Sequence, residues 1–521
     1  MNPPDGLPPG WECPRLAEIA QINPPLDRCV ISDDVSVNFV PMRAVEAEGG
    51  GLLRPEERAY GDVKKGFTSF LSGDVIMAKI TPCMENGKTT VVPELPGSVC
   101  FGSTEFHVLR PEQRIEPRLI ANFLLQHDTR RAAQRAMTGG VGQMRVPASF
   151  LEALRIPLPP PHEQVRVAEA LDELLSDLDV GVAALEQTRA KLTLYRAAVL
   201  KAAVEGTLTS EWRQRHPDTE PATELLGRIL VERRHRWEER QLRSFEEKGQ
   251  APAKNWIEKY KEPLPPDDGD LPGLPPGWRW TTIDQIAVDV RNGHSAKPDA
   301  IGSVPILRIS AVRPLKLDLD DLRYLSGDPS DYAASLIQER DLLFTRYNGT
   351  RTFVGVCAVV PSLERKFVHP DKLIRARPLP SVPVPAFLAL AANVGASRRF
   401  LDGRIRTTAG QAGVSGGDIK ELPVPLPPAS EQLAIIEAVE DTLSIIEHIE
   451  SEIDDKAAKA HALRQSILRQ AFTGRLVPQD PNDEPASELL KRIAAERDTC
   501  AQQAATKRAV RTPKKKTPKV P

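Results

Sequence analysis

Apolar residues recur every seven positions along two stretches of the chain. In the first, Leu171, Leu178, Leu185, Leu192 and Val199 share one stripe, with Leu175 and Val182 on the adjoining seam. In the second, Val439, Ile446, Ile453, Ala460 and Ile467 keep the same spacing, with Leu443 beside them. A sustained heptad predicts a long helix packed along its length against another helix. The flanks mark where each helix starts and stops. Leu154-Arg-Ile-Pro-Leu-Pro-Pro-Pro-His-Glu-Gln164 precedes the first, and Leu422-Pro-Val-Pro-Leu-Pro-Pro-Ala-Ser-Glu-Gln432 the second. These prolines cannot continue a ladder of backbone donors and so close the preceding segment. Ser430 is a candidate N-cap, and Glu163 and Glu431 put negative charge at the positive end of the helix dipole. Gly206 and Gly474 suit left-handed C-terminal caps. At a rise of 1.5 Å per residue each helix is about 60 Å long. An ordinary bundle core would use the same pattern, but two equal helices in one chain, each needing a partner, favour pairing with each other.

The spacing of these marks shows a duplication. Glu163 and Glu431 are 268 residues apart, as are Gly206 and Gly474. Upstream, Gly6-Leu-Pro-Pro-Gly-Trp11 recurs as Gly273-Leu-Pro-Pro-Gly-Trp278, an offset of 267. At that offset Ala44-Val45 meets Ala311-Val312, in segments that both read as strands. Asp74-Val-Ile-Met-Ala-Lys79 meets Asp341-Leu-Leu-Phe-Thr-Arg346, again strand-like and closed by a cation. Arg110-Pro111 meets Arg377-Pro378, and Gly142-Gln143 meets Gly410-Gln411 at 268. A drift of one residue over this distance marks a repeated unit. The predicted fold class is α+β. It comprises a first β-rich mixed globule at 1–160, a long helix at 161–206, and a short amphipathic helix with a Pro-rich linker at 207–270. A second globule at 271–428, a second long helix at 429–474, and a short helix with a basic tail at 475–521 complete the order. The short helices begin at Pro221 and Pro485, and Leu225, Leu226, Ile229 and their twins either dock partner subunits or pack within this chain. Residues 249–276 read as an extended linker. The segment Lys507–Lys519 is a basic tail able to touch phosphates or simply be solvated.

Composition narrows the class. The 521 residues leave room for about three domains, and 48 prolines with 5% aromatics suit punctuated modules. A net charge of −2 means that any nucleic-acid binding needs a local positive surface. The N-terminus lacks the regions of a signal peptide, and no apolar run approaches spanning length. The six cysteines (13, 29, 83, 100, 357, 500) form no Cys-x-x-Cys pair, so free thiols in a reducing cytoplasm are expected. No metal is expected, because the nine histidines form no spaced cluster and Arg166 stands where a His162-Glu163 zinc helix needs its second His. Asn23-Pro-Pro-Leu26 resembles the amine-holding motif of amino-methyltransferases but has Leu26 in place of the stacking aromatic. It lacks an upstream Gly-rich donor loop and reads as a turn. Neither a phosphate-cradling loop nor a nucleophile elbow occurs. The chain is expected to catalyse nothing by itself.

Together these residues resemble one known family, the specificity (S) subunit of type I restriction–modification systems. The likeness rests on Leu-Pro-x-Gly-Trp opening each half and on Pro-Leu-Pro-Pro-x-x-Glu-Gln opening each helix. It rests also on Ala78-Lys-Ile-Thr-Pro-Cys-Met-Glu-Asn-Gly-Lys88, Phe101-Gly-Ser-Thr-Glu-Phe-His107 and Leu343-Phe-Thr-Arg-Tyr-Asn-Gly-Thr350. Each segment alone is weak; the duplicated set covers nearly the whole chain and is specific. The resemblance implies two target-recognition domains, each reading one half of a bipartite, asymmetric DNA target. An antiparallel two-helix coiled coil would separate them, giving an internal pseudo-twofold repeat. It implies partners as well: modification subunits that carry S-adenosylmethionine and methylate adenine, and a restriction subunit that uses ATP and Mg. No cofactor is then expected in this chain, and no membrane partner.

Reading bases needs donors and acceptors aimed into a groove, whereas phosphate contacts only position the protein. The candidates in the first globule are Lys79, Thr81, Glu85, Asn86, Lys88, Thr104 and Glu105. In the second they are Arg308, Ser310, Arg346, Asn348, Thr350 and Arg351, with Lys79 and Arg346 the aligned pair. Gln143 and Gln411, in Gly-rich loops, either meet the DNA backbone or shape their loops. The alternative for all of these is a turn or strand end on a solvated face. At the level of the whole chain the alternatives are a coiled-coil scaffold or adaptor without DNA specificity, and a stand-alone methyltransferase. Unlike globule interiors between matched ends count against a scaffold.

Overall fold

Both heptad stretches form single helices, Pro161–Val204 and Ala429–Ala471. The structure, a computed structural model, describes residues 6–25, 31–96, 99–140, 142–252, 254–267, 269–299, 301–408 and 411–510. The chain divides into two units, Met1–Gln187 with Ile453–Pro521, and Thr188–Glu452, so each long helix contributes to both. Gly206 and Gly474 have φ of +75° and +66°, the left-handed conformation that glycine adopts without strain. Ser430 lies inside its helix and does not cap it. The Gln432 N–H already bonds the Pro428 carbonyl, which starts the ladder two residues earlier.

In the first unit a four-stranded antiparallel sheet runs in the order Ala20–Ile22, Phe106–Pro111, Val75–Ala78, Thr89–Val91. Its strand Val75–Ala78 is apolar at every position because both faces are covered. Val75 and Met77 face a core shared with Leu119, Ile120 and Leu124, while Ile76 and Ala78 face one built on Phe70, Cys100 and Phe106. A second sheet, Glu56–Ala59, Ser36–Val40, Val99–Gly102, Thr68–Leu71, adds a parallel pair between its two central strands. Leu171 and Leu175 of the first long helix meet Ile467, Leu468, Ala471 and Phe472 of the second. Glu163 bonds Gln479 and Asp179 pairs with Arg464, so within this unit the helix segments run antiparallel. Leu178 and Leu185 are half-buried, while Ile453 and Ile467 are buried.

The second unit repeats this plan. Its main sheet runs Ala287–Asn292, Leu373–Pro378, Leu342–Thr345, Cys357–Val359, and Leu342 pairs with Ala376 as Val75 pairs with Leu109. Leu342 and Phe344 face one core and Leu343 another. Val199, Val439 and Ile446 are buried and Leu192 is half-buried; Arg196 pairs with Glu450 and Arg213 with Glu431, again antiparallel. The units diverge beyond the main sheet. Where the first has a four-stranded sheet, the second has two small ones, Val304–Leu307 with Leu322–Leu325 and Val312–Arg313 with Lys316–Leu317.

Besides the Ser430 cap, two sequence expectations are corrected, and for the short helices one of the two open readings holds. The segments at Ala44 and Ala311 are 3-10 turns, Met42–Ala44 and Ile309–Ala311, and only Val312–Arg313 continues as a short strand. The short helices, Ala222–Glu247 and Ala486–Val510, spend their apolar faces inside the chain. Leu225, Leu226 and Ile229 join the second unit's core with Ile283 and Ile286, while Leu489 and Ile493 join the first unit's core with Leu16 and Ile19. An apolar stripe buries against the nearest apolar surface, and here that surface is the chain's own. The linker is also less extended than expected, since Trp256 stacks on Trp237 at 5.9 Å and Tyr260 packs on the same ring at 5.2 Å. Residues 511–521 of the basic tail, and Cys29, lie outside the described residues.

Candidate nucleic-acid interface

Each globule is fastened to its helix by the same joint. The Trp11 indole N–H donates to Glu163 Oε2 at 3.0 Å, and that of Trp278 to Glu431 Oε2 at 2.8 Å. The next residue completes it: Gln164 Nε2 donates to the Pro159 carbonyl and Gln432 Nε2 to that of Pro427. Both carboxylates are buried. Glu163 also accepts from Gln479 Nε2, whereas Glu431 accepts from Thr209 Oγ1 and from Arg213. Burial pushes the Glu163 carboxyl above its ordinary range, against the lowering effect of its hydrogen bonds. The Trp and Glu-Gln motifs are therefore a mechanical fastening.

A second fastening holds the strand that leads to the candidate readers. Arg110 grips Asp74 through Nε and Nη2 at 2.8 and 2.7 Å, and Arg377 grips Asp341 at 2.7 and 2.8 Å. Each aspartate also accepts a backbone N–H, from Leu71 or Gln338, so the strand entry is fixed on both sides.

At the exit of that strand the two units share a backbone frame. Lys79 N–H donates to the Glu105 carbonyl and its own carbonyl accepts from Val146 N–H; Arg346 does the same with Lys372 and Val414. A hairpin pairs Thr138 with Arg145 in one unit and Arg406 with Gly413 in the other. Thr81 N–H donates to Met144, and Asn348 pairs with Ala412. These bonds join main-chain atoms, so they do not depend on which side chains the frame carries. The first frame displays Lys79, Thr81, Glu105, Gln143 and Arg145. The second displays Arg346, Asn348, Lys372 and Gln411, with Gly413 where the first has Arg145. A Cβ at Gly413 would collide with the Tyr347 ring, over which the Arg346 guanidinium lies at 4.7 Å.

The frames thus gather Lys79, Thr81, Glu105 and Gln143 in one unit, and Arg346, Asn348 and Gln411 in the other. Glu85 and Asn86 are exposed on the turn after Pro82, and Thr104 is exposed on the turn before Phe106. Lys88 is turned inward and gives its ammonium to the Met42 and Val45 carbonyls. The Asn348 side chain accepts the Thr350 N–H at 2.9 Å, and exposed Arg351 donates to the Asp402 carbonyl. Arg308 is paired with Asp321 at 3.0 Å on the segment after Val304–Leu307, with Ser310 in the turn that follows. Sequence reasoning missed Arg145. Its signal was position alone, two residues beyond Gln143 as Gly413 is beyond Gln411. Arg145 holds Glu105 through two bonds of 2.9 Å, and these lower the Glu105 carboxyl below its ordinary range. Asn23 has φ of +50° and bends the chain, and its side-chain oxygen accepts the Val108 N–H. Among the described residues no group of three His, Cys, Asp or Glu could hold a metal, and no helix is long and apolar enough to cross a membrane.

Comparison with known proteins extends this geometry. A family model described as the type I restriction modification DNA specificity domain matches residues 60–185. The specificity subunit of the type I restriction enzyme EcoKI from Escherichia coli (strain K12) is 33% identical over 439 residues, 81% of this chain and 81% of that protein. The EcoEI specificity subunit of Escherichia coli is 30% identical over 500 residues, 86% of this chain and 80% of the relative. Two solved structures share the fold. A chain from work on complex assembly and conformational transition of the type I R-M system matches with a TM-score of 0.63 at 18% identity, covering 91% of this chain and all of that one. The HsdS subunit from Thermoanaerobacter tengcongensis matches with a TM-score of 0.50 at 19% identity, over 91% of this chain and all of its own.

Proposed function

Because this chain belongs to the family of type I restriction enzyme specificity subunits, we propose that each of its frames reads one half of a bipartite, asymmetric DNA target. The observation that carries this reading is a backbone mount made twice with unlike side chains on it. Identical mounts give identical approach to a groove, and different donors and acceptors then select different bases. The long helices set the gap between the halves and dock modification subunits, and the exposed Leu194 and Ile445 offer apolar surface for that docking. In this reading the modification subunits supply S-adenosylmethionine, a restriction subunit uses ATP and Mg, and this chain, in the cytoplasm, supplies the address without chemistry of its own.

The test is to express the chain with its modification subunit and map the methylated adenines in the host DNA. Two fixed sequence blocks separated by a constant, unread gap are expected. Methylation without sequence preference would refute the reading and favour a scaffold.

A further inference from the structure

Arg145 stands where the two frames differ most, opposite a glycine in the second unit. Its guanidinium carries five N–H donors in one plane. Nε and Nη2 each give one to Glu105 at 2.9 Å, and Nη1 gives one to the Gln143 carbonyl at 3.1 Å. Two donors remain, one on each terminal nitrogen, on a side chain that is 40% exposed. The carboxylate fixes the plane of the fork, so its remaining donors need no ordering when a ligand arrives. The same carboxylate decides which ligand suits it. Its negative charge offsets that of the guanidinium and repels a phosphate brought to the same spot. A neutral base edge is not repelled.

We infer that Arg145 is a specificity-determining residue of the first unit, its two terminal nitrogens donating to O6 and N7 of a guanine in the major groove, with Glu105 as its positioning residue. This rests on the reading that the first frame faces DNA. Guanine is the base whose groove edge presents two adjacent acceptors to such a fork. Lysine, a point charge without a planar fork, cannot reproduce the arrangement. The second unit, with Gly413 at this place, reads its half by other side chains.

The test uses the full chain in complex with its modification subunit, mapping methylation for wild type, Arg145→Lys, Arg145→Ala and Glu105→Gln, with thermal unfolding of each complex. In the wild type, one half-site contains an invariant guanine. Arg145→Lys relaxes that one position, with discrimination falling roughly tenfold to a hundredfold, while the other half-site and the gap are unchanged. Glu105→Gln relaxes the same position without moving the melting temperature, which a purely structural role would shift. If Arg145→Lys keeps the guanine preference, if both Arg145 variants weaken methylation equally at every site, or if both abolish it, the inference is overturned. A wild-type complex that methylates without preference overturns the underlying reading instead.

Discussion

Trp11 and Trp278 make the same hydrogen bond in two settings, and the settings predict different costs. Trp11→Phe leaves the buried Glu163 with Gln479 as its remaining side-chain donor, which costs about 1–3 kcal/mol. Trp278→Phe costs less, because Glu431 keeps Thr209 and Arg213. Denaturant midpoints of the two variants should rank in that order. The aspartates that hold the central strands rank too. Asp341→Ala removes both bonds that hold Arg377 and a carboxylate 4.0 Å from the buried Arg375, which keeps Asp289, a loss of about 3–5 kcal/mol; Asp74→Ala frees Arg110 with no second buried arginine beside it and costs less. A pH dependence follows from His369, buried with Nδ1 against the Ser335 carbonyl and its pKa pulled down to about 4 by burial. The unfolded chain takes up this proton near pH 6.5. Stability present above about pH 6.5 is therefore lost as pH falls toward about 4. His369→Asn flattens that slope in unfolding midpoints between pH 7 and 5, and buried His107 leaves a residue of the same sign. At this scale the sequence was partly legible. Aspartate and arginine stood out as aligned pairs, but nothing along the chain showed that they meet. The Arg145–Glu105 pair, 40 residues apart, depends on a hairpin folding back onto a strand end.

The long helices were the most legible elements, since a heptad states both the period and the need for a partner. The short helices show the limit of that signal. An amphipathic stripe declares a buried face without naming what buries it, and Leu225 and Leu489 turned out to face their own globules. At Ala44 and Ala311 a short apolar run matched a strand, and a 3-10 turn won because the pairing partner sits elsewhere. If the long helices act as spacers, inserting one heptad at matched places in both, within 176–190 and 444–458, lengthens each by about 10 Å. The methylated target should then show a longer gap between unchanged half-sites. An unchanged gap in methylation mapping would end the spacer role.

At the scale of the whole molecule the duplication makes the globules exchangeable parts. Each Asp–Arg grip lies inside the exchangeable segment and each Trp–Glu joint outside it, so a globule cut at matched points carries its grip along and meets the same joint in either place. Replacing residues 279–422 with residues 12–154 should give a folded chain that directs methylation to a target whose two halves carry the same sequence. Retention of the original second half would place its reader outside the exchanged segment. The repeat and its one-residue drift were visible in the sequence. The different secondary sheets of the two globules were not, because their strands are too short to declare a pairing.

The main-chain frame at the strand exits has one further consequence. Since its bonds ignore side-chain identity, point substitutions at 79, 81 or 143 alter what is displayed without loosening the mounting, whereas one at 105 or 145 also undoes the pair between them. If the frames read DNA as proposed, a lineage revises its target one base at a time, and every enzyme that takes direction from this chain inherits the revision at once.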